Sequence, residues 1–147
     1  MTERVRSDNS KTPYLTFCLQ SRTWLKRLVR RWYRRLQYDW RVNVEVMDAE
    51  ELTGGSEFTV LGKTLALPVY RTATIWVSED AEEGDDAEWV VLHELLHLKY
   101  EIVIHVLNQC WDERRKMDKA KATQLMRDAI ETMIEQDVKV MMRLAGK

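Results

Sequence analysis

Two histidines and a glutamate in the second half of the chain have the spacing of a hydrolytic metal site. They are His93, Glu94 and His97, within the sequence His-Glu-Leu-Leu-His. On a helix, residues four apart lie about 40° apart around the axis and roughly 6 Å along it, so both imidazoles can converge on one cation. Glu94 lies beside them, close enough to take a proton from a zinc-bound water. We therefore predict that His93 and His97 bind zinc and that Glu94 is the general base.

Chance occurrence of this short pattern is the main argument for an alternative. In that alternative both histidines are hydrogen-bonded core residues, and Glu94 pairs with Lys99 or with solvent. The chain has three histidines, however, and two of them lie in the motif. The motif also falls on a predicted helix, as the chemistry requires. Both facts favour the metal site.

A zinc site of this kind needs a third protein ligand, with water in the fourth position. The extended motif HExxHxxGxxH, which supplies a third histidine, is excluded because the chain has Tyr100 and Val103 where Gly and His are needed. Glu131 and Glu135 are the better candidates, since they lie four apart on an otherwise apolar helical stretch. A carboxylate directed toward a core is costly unless it is paired or bound to metal. The alternative is that either one lies on the solvated face of its helix.

The HELLH sequence, followed after 33 residues by Glu131-Thr-Met-Ile-Glu135, resembles the gluzincins, the zinc metallopeptidases typified by thermolysin. The small size and the order of elements are similar to minimal gluzincins and to the short bacterial or phage ImmA/IrrE-like proteins. The resemblance implies a zinc metallopeptidase in which His93, His97 and Glu131 hold the metal. Glu94 would be the base, and Glu135 an acid that orients a ligand histidine.

The chain departs from the gluzincin pattern at two places. Ile130 precedes Glu131, where the thermolysin glutamate helix starts with Asn-Glu, and an alignment with Glu135 as the ligand is nearly as good. No residue matches the histidine or tyrosine that stabilises the transition state in that family. Tyr100 and His105 are candidates for this role by residue type.

The predicted strand at residues 73–78 directly precedes the HExxH helix. In the gluzincins such a strand lies at the edge of the sheet and binds an extended peptide antiparallel. The resemblance thus implies a protein or peptide substrate along the edge of strand 73–78, where backbone donors and acceptors are exposed. The alternative is an ordinary core strand.

Hydrophobic periodicity predicts the elements that must position these residues. Apolar residues at helical spacing from Thr23 onward predict a helix, and alternation at 42–46 and 73–78 predicts strands. The remaining predictions are a loop at 50–56, a hairpin turning at Gly62-Lys63, a helix from Asp85, a break near Asn108-Gln109, and a helical tail over 112–145. The order helix, strands, helix, helix predicts an α+β, zincin-like fold with a small twisted sheet.

At 147 residues the chain is long enough for one core, and we expect a loose segment at 1–20 followed by a single domain at 21–147. The net charge of −1 conceals two segregated runs. Residues 22–35 contain seven basic side chains and no acid, whereas residues 79–88 contain seven acids and no base. The basic helix could contact nucleic acid or a protein, so the competing hypothesis is a regulatory or binding module that retains a zinc site. The alternative for this helix is a simple solvated face.

The longest apolar runs are far below the 18 or more residues of a membrane span, so we expect no membrane insertion. The first ten residues lack the apolar core of a secretory signal. Two isolated cysteines fit neither a disulfide framework nor a metal pair. We therefore expect a cytoplasmic protein.

Overall fold

The computed structural model describes residues 14–55, 60–110 and 116–146, which contain four α-helices and a mixed four-stranded sheet. The architecture is α+β, as predicted. In chain order the elements are β1 (Leu15–Phe17), α1 (Thr23–Arg35), β2 (Arg41–Met47), α2 (Ala49–Thr53), β3 (Gly62–Leu67), a 3-10 turn (Pro68–Tyr70), β4 (Thr72–Ser78), α3 (Asp85–Cys110) and α4 (Lys116–Leu144).

The strands lie in the order β1-β2-β4-β3. The first three are parallel, and β3 runs antiparallel to β4. Because alternate side chains point to opposite faces, the buried residues of β2 and β4 form one apolar face against α1 and α3. β1 lies inside the segment predicted to be loose, which moves the start of the ordered fold toward the N-terminus. Residues 1–13 lie outside the described part of the chain.

The prediction that strand 73–78 is an edge strand is wrong. β4 pairs with β2 from Thr72 to Ser78 on one side and with β3 from Thr72 to Val77 on the other. A period of two shows only that one face of a strand is buried, so the pattern could not distinguish an edge from an interior position. The edge of the sheet next to β4 is β3, Gly62–Leu67.

The predicted position of the hairpin turn, Gly62-Lys63, is also wrong. Gly62 and Lys63 start β3, and the chain turns at Pro68–Tyr70, where Arg71 adopts a left-handed conformation with φ 49°. Pro68 begins this turn, at a position that requires no ladder N–H. Part of the first predicted strand, residues 58 and 59, lies outside the described residues. The predicted loop at 50–56 begins with the short helix α2, capped by the Asp48 side chain.

Helix α1 begins at Thr23, as predicted, and ends at Arg35. Leu25, Val29 and Trp32 of the predicted apolar stripe are buried. Helix α3 extends slightly beyond the predicted break, to Cys110. Helix α4 begins at Lys116 and packs along α3, and the predicted start of this helix at 112 lies outside the described ranges. None of the described helices has an apolar stretch of the length that a bilayer span needs.

The basic and acidic runs of the sequence meet in the fold. Arg22 donates to the backbone carbonyls of Glu79 and Ala81, and Arg27 pairs with Glu83 at 3.4 Å. The third contact is a buried carboxylate: Glu88 accepts from Arg31 and, at 2.8 Å, from the indole N–H of Trp32. These contacts fix the start of α3, and therefore the HExxH motif about two turns later, against α1.

Candidate metal centre

The HExxH motif lies on the most deeply buried helix of the described chain. Leu92, Leu95 and Leu96 are buried and face the sheet and α1. This apolar packing leaves His93, Glu94 and His97 on the remaining side of α3, between β3 and α4. Their possible ligand atoms all lie within 4.8 Å of one another.

The two imidazoles and the Glu131 carboxylate are in mutual contact. The Nε2 atoms of His93 and His97 are 3.2 Å apart. Glu131, on α4, places Oε2 3.3 Å from His93 Nε2 and Oε1 3.4 Å from His97 Nε2. Ligands about 2.0–2.1 Å from a tetrahedral zinc ion lie about 3.3–3.4 Å from one another. The two nitrogens therefore have nearly the spacing of tetrahedral ligands, and each also contacts one oxygen of the Glu131 carboxylate. Two histidines with one glutamate are a ligand set that catalytic zinc uses.

Glu131 lies at the solvent-exposed edge of the contact between α3 and α4 and reaches the histidines from there. The buried stripe of α4 is formed by Ile130, Ile134 and Val138, and the Glu131 side chain, 100° further around the helix, is 51% exposed. The expectation that Glu131 and Glu135 point toward the core is thus wrong. A half-exposed carboxylate pays a smaller desolvation cost, so its position does not by itself require a metal.

Glu135 lies one turn beyond Glu131 and does not orient His93 by a hydrogen bond. The Nδ1 atom of His93 is buried and has no hydrogen-bond partner among the described residues. Its ring is held instead by Trp89, which stacks on it with centroids 4.9 Å apart and an interplanar angle of 27°. Glu135 acts on His93 only through its charge, which raises the histidine pKa against the larger opposing effect of burial.

Glu94 faces the other neighbour of α3, the edge strand β3. Glu94 is only 6% exposed, and its Oε2 accepts a hydrogen bond of 2.7 Å from the Thr64 hydroxyl. Gly62 allows this approach, because a Cβ at that position would lie 2.7 Å from Val90 Cγ1 and 2.8 Å from Glu94 Cγ. The base candidate is therefore packed between two elements, with one oxygen held by a side chain.

Burial sets the ionisation of all three motif residues. It lowers the pKa of His93, and together with the neighbouring His93 it lowers the pKa of His97 to about 4. Both imidazoles are therefore neutral at pH 7, the form that binds a metal. Burial raises the pKa of Glu94 to about 7, the Thr64 hydrogen bond opposes this shift, and the Glu131 charge adds to it. A cation beside Glu94 would favour its charged form.

The two candidates for transition-state stabilisation lie away from this cluster. The Tyr100 hydroxyl donates to Asp137 at 2.8 Å, nearly two turns of α4 beyond Glu131, and so ties α3 to α4. His105 lies eight residues after His97 on the same helix, about 12 Å along its axis. His105 is thus more than two helical turns from the nearer imidazole, and the Tyr100 hydroxyl is bonded to Asp137.

Sequence reasoning missed Thr64, Gly62 and Trp89. The stacking of Trp89 on His93 could have been found from the sequence, because residues four apart on a helix are neighbours. The contacts of Thr64 and Gly62 with Glu94 could not, since they depend on which strand lies beside the helix.

The chain matches no protein-family model, no curated protein and no solved structure. The function must therefore be inferred from the side chains of the site and their surroundings.

Proposed function

We propose that this protein is a zinc-dependent metallopeptidase of the gluzincin type, which hydrolyses peptide bonds of a protein or peptide substrate. The observation that carries the proposal is the contact of His93, His97 and Glu131 at 3.2–3.4 Å, with Glu94 buried beside them. Two nitrogens and a carboxylate at tetrahedral spacing, next to a carboxylate that is not needed as a ligand, are the parts of a hydrolytic zinc site.

His93, His97 and Glu131 would hold the metal. Bound zinc supplies Lewis acidity, which polarises a carbonyl and lowers the pKa of water. Glu94 accepts the proton of the attacking water on Oε1 and returns it to the leaving amide nitrogen. Thr64 holds Oε2 by its hydrogen bond, so Glu94 stays in one rotamer during both transfers. The stacked Trp89 ring fixes the plane of His93.

The substrate we propose is an extended peptide that adds to β3. In the described part of the sheet, β3 is the last strand, and it lies against the same side of α3 that carries Glu94. Backbone pairing at such an edge binds extended peptides with little regard to sequence. An edge strand beside an HExxH helix, with a glutamate helix following, also supports the proposal of a zincin-like fold.

The substitution Glu94→Gln tests the proposed reaction. The amide cannot accept a proton, so the variant should lose hydrolysis of a casein or fluorogenic peptide substrate while retaining fold and zinc content. Glu50→Gln, a change of the same type at an exposed position of α2 away from the cluster, is the matched control and should retain activity. If Glu94→Gln turns over substrate at the wild-type rate, Glu94 is not the base.

The alternative, a regulatory or nucleic-acid-binding or protein-binding module with helix 22–35 as its contact surface, has less support. Three of the seven basic residues of this stretch are engaged by residues 79–88, namely Arg22, Arg27 and Arg31. Arg30 and Arg35 lie over the rings of Phe17 and Trp32. Salt-dependent binding of a DNA or RNA duplex that is weakened by Arg30→Ala and Arg34→Ala but unchanged by Glu94→Gln would favour this module.

A further inference from the structure

A cavity of about 350 Å³ opens directly beside His93 and Glu94. One wall is a single face of α3, on which Asp86, Trp89, Val90, His93 and Glu94 recur at helical spacing. The opposite wall is the start of the edge strand β3. The cavity therefore runs from the motif toward the N-terminus of α3.

The chemistry of the cavity changes along its length. Its middle is apolar, with the Trp89 indole and Val90 facing Leu61 across the opening. Its far end carries one charged group, the exposed carboxylate of Asp86. Within the described residues Asp86 has no ion-pair partner, whereas Glu83 and Glu88 are held by arginines of α1.

The length of the cavity fits a long cationic side chain. Asp86 precedes His93 by seven residues, which is roughly 10 Å along the helix axis. The four-carbon stem of lysine spans roughly 6 Å from Cα to the ammonium, and the aspartate side chain supplies part of the remaining distance. A stem over Val90 and Leu61 would therefore bring its cation close to Trp89 and Asp86.

We propose that this cavity is a specificity pocket for a lysine or arginine side chain of the peptide substrate. The proposal rests on the peptidase function above, because it assigns the pocket next to the reacting bond. The aliphatic stem packs on Val90 and Leu61, and the cation lies over the Trp89 indole, which attracts positive charge. Asp86 pairs with the cation at the open end of the pocket.

Charge complementarity also disfavours the other kinds of side chain. An acidic side chain would face Asp86 and the other carboxylates at the start of α3. An uncharged side chain of the same length would fill the apolar part and leave Asp86 without a partner. Since the ion pair is exposed, its effect is modest, and together with the Trp89 contact it should favour a basic over an uncharged residue by about fivefold.

The test uses zinc-loaded full-length protein and quenched fluorogenic peptides. Each peptide carries Lys, Arg, norleucine or Glu at one position of an Ala-Ser sequence, and that position is moved along the peptide. We expect kcat/KM for the Lys and Arg peptides to exceed that for norleucine by about fivefold at one position. The same labelled peptides are titrated by fluorescence anisotropy against Glu94→Gln protein, which requires no turnover.

Two variants with a matched control locate the effect. Asp86→Asn should reduce the preference to about twofold, and Asp86→Lys should invert it in favour of the Glu peptide. Glu51→Lys changes the charge by the same amount on the exposed side of α2 and should leave the preference unchanged. A purely structural role for Asp86 would lower all four rates together and could not invert their order.

The outcomes separate this pocket from the peptidase function itself. If norleucine peptides are cleaved as fast as Lys peptides, or if Asp86→Lys leaves the order unchanged, the pocket assignment is wrong. If wild-type protein cleaves no peptide, the peptidase proposal fails. The anisotropy titrations alone then test whether the pocket binds basic side chains. In that case tighter binding of the Lys and Arg peptides that depends on Asp86 supports the pocket, and equal binding of all four peptides overturns it.

Discussion

The two carboxylates beside the histidines differ in burial. Glu94 belongs to α3 and faces β3, whereas Glu131 reaches the histidines from α4. Glu94 is 6% exposed, is packed against Gly62 and accepts a hydrogen bond from Thr64. The Glu131 side chain is 51% exposed and contacts the imidazole nitrogens of His93 and His97. One acid is fixed by its environment, whereas the other is positioned mainly by the helix that carries it.

This difference fits the different roles that we propose for the two acids. A general base must keep one orientation through two proton transfers, and packing against β3 provides that rigidity. A ligand is fixed by the metal bond itself, so α4 needs only to bring Glu131 within reach. That helix is anchored by its apolar stripe and by the contacts of Asp137 with Tyr100 and Lys99.

The largest effect that distinguishes the two sides is expected on zinc affinity. Glu131→Ala removes one of the three proposed protein ligands and should weaken zinc binding by more than about 100-fold, the upper range for outer residues that only orient a ligand. Glu135→Ala, one turn away on the same exposed rim, should change the affinity by less than about tenfold. Competition with a fluorescent zinc chelator measures both, with circular dichroism to verify the fold.

A reversed order would mean that Glu135 is the ligand in the loaded protein and that α4 rotates on metal binding. Equal and small effects would place the third ligand outside the described contacts. Either result would break the contrast between a metal-fixed and a packing-fixed carboxylate.

Gly62→Ala should disturb the Glu94 side and leave the ligand side intact. The new methyl group would overlap Val90 and Glu94, so we expect a loss of about 1–3 kcal/mol in the free energy of unfolding and a large drop in kcat. Zinc affinity should change little. Gly84→Ala is the control, because a Cβ there meets nothing within 4 Å. Thermal unfolding, zinc titration and kcat are measured for both variants. If Gly62→Ala behaved like Gly84→Ala, the close packing of Gly62 against Glu94 would not be needed for stability or for the reaction.

A smaller effect is expected from Thr64→Val, which keeps the shape of the side chain and removes its hydroxyl. Glu94 Oε2 then loses its donor, and we expect kcat to fall by about tenfold, equivalent to ~1.4 kcal/mol, with zinc content unchanged. Thr64→Ser restores the donor and should recover most of the rate. A serine variant as slow as the valine variant would show that the hydrogen bond does not position the base.

The sequence predicted the parts of the site that depend on one helix alone. The spacing of His93, Glu94 and His97 is a property of α3, and a helix has the same geometry in any fold. Glu131 was chosen over Glu135 by resemblance, and the structure brings it into contact with both imidazoles because α4 packs along α3 with Ile130 and Ile134 inward.

The parts that depend on strand order could not be predicted. Parallel pairing of β4 with β2 and antiparallel pairing with β3 are long-range choices, and a period of two is the same in an edge and an interior strand. For that reason the edge was assigned to β4, and Thr64 was missed as the partner of Glu94. Similarly, the partners of Arg27 and Arg31 appeared only once α1 lay against the start of α3.

The metal content of the purified protein tests the central claim most directly. Mass spectrometry of the protein dialysed against zinc and then against metal-free buffer should find about one zinc per chain, and none in His93→Ala or His97→Ala, because two remaining ligands rarely retain the ion. The His105→Ala variant, which alters the third histidine of the chain, should keep its zinc. Wild-type protein without zinc, or His97→Ala protein with a full equivalent of it, would contradict the account.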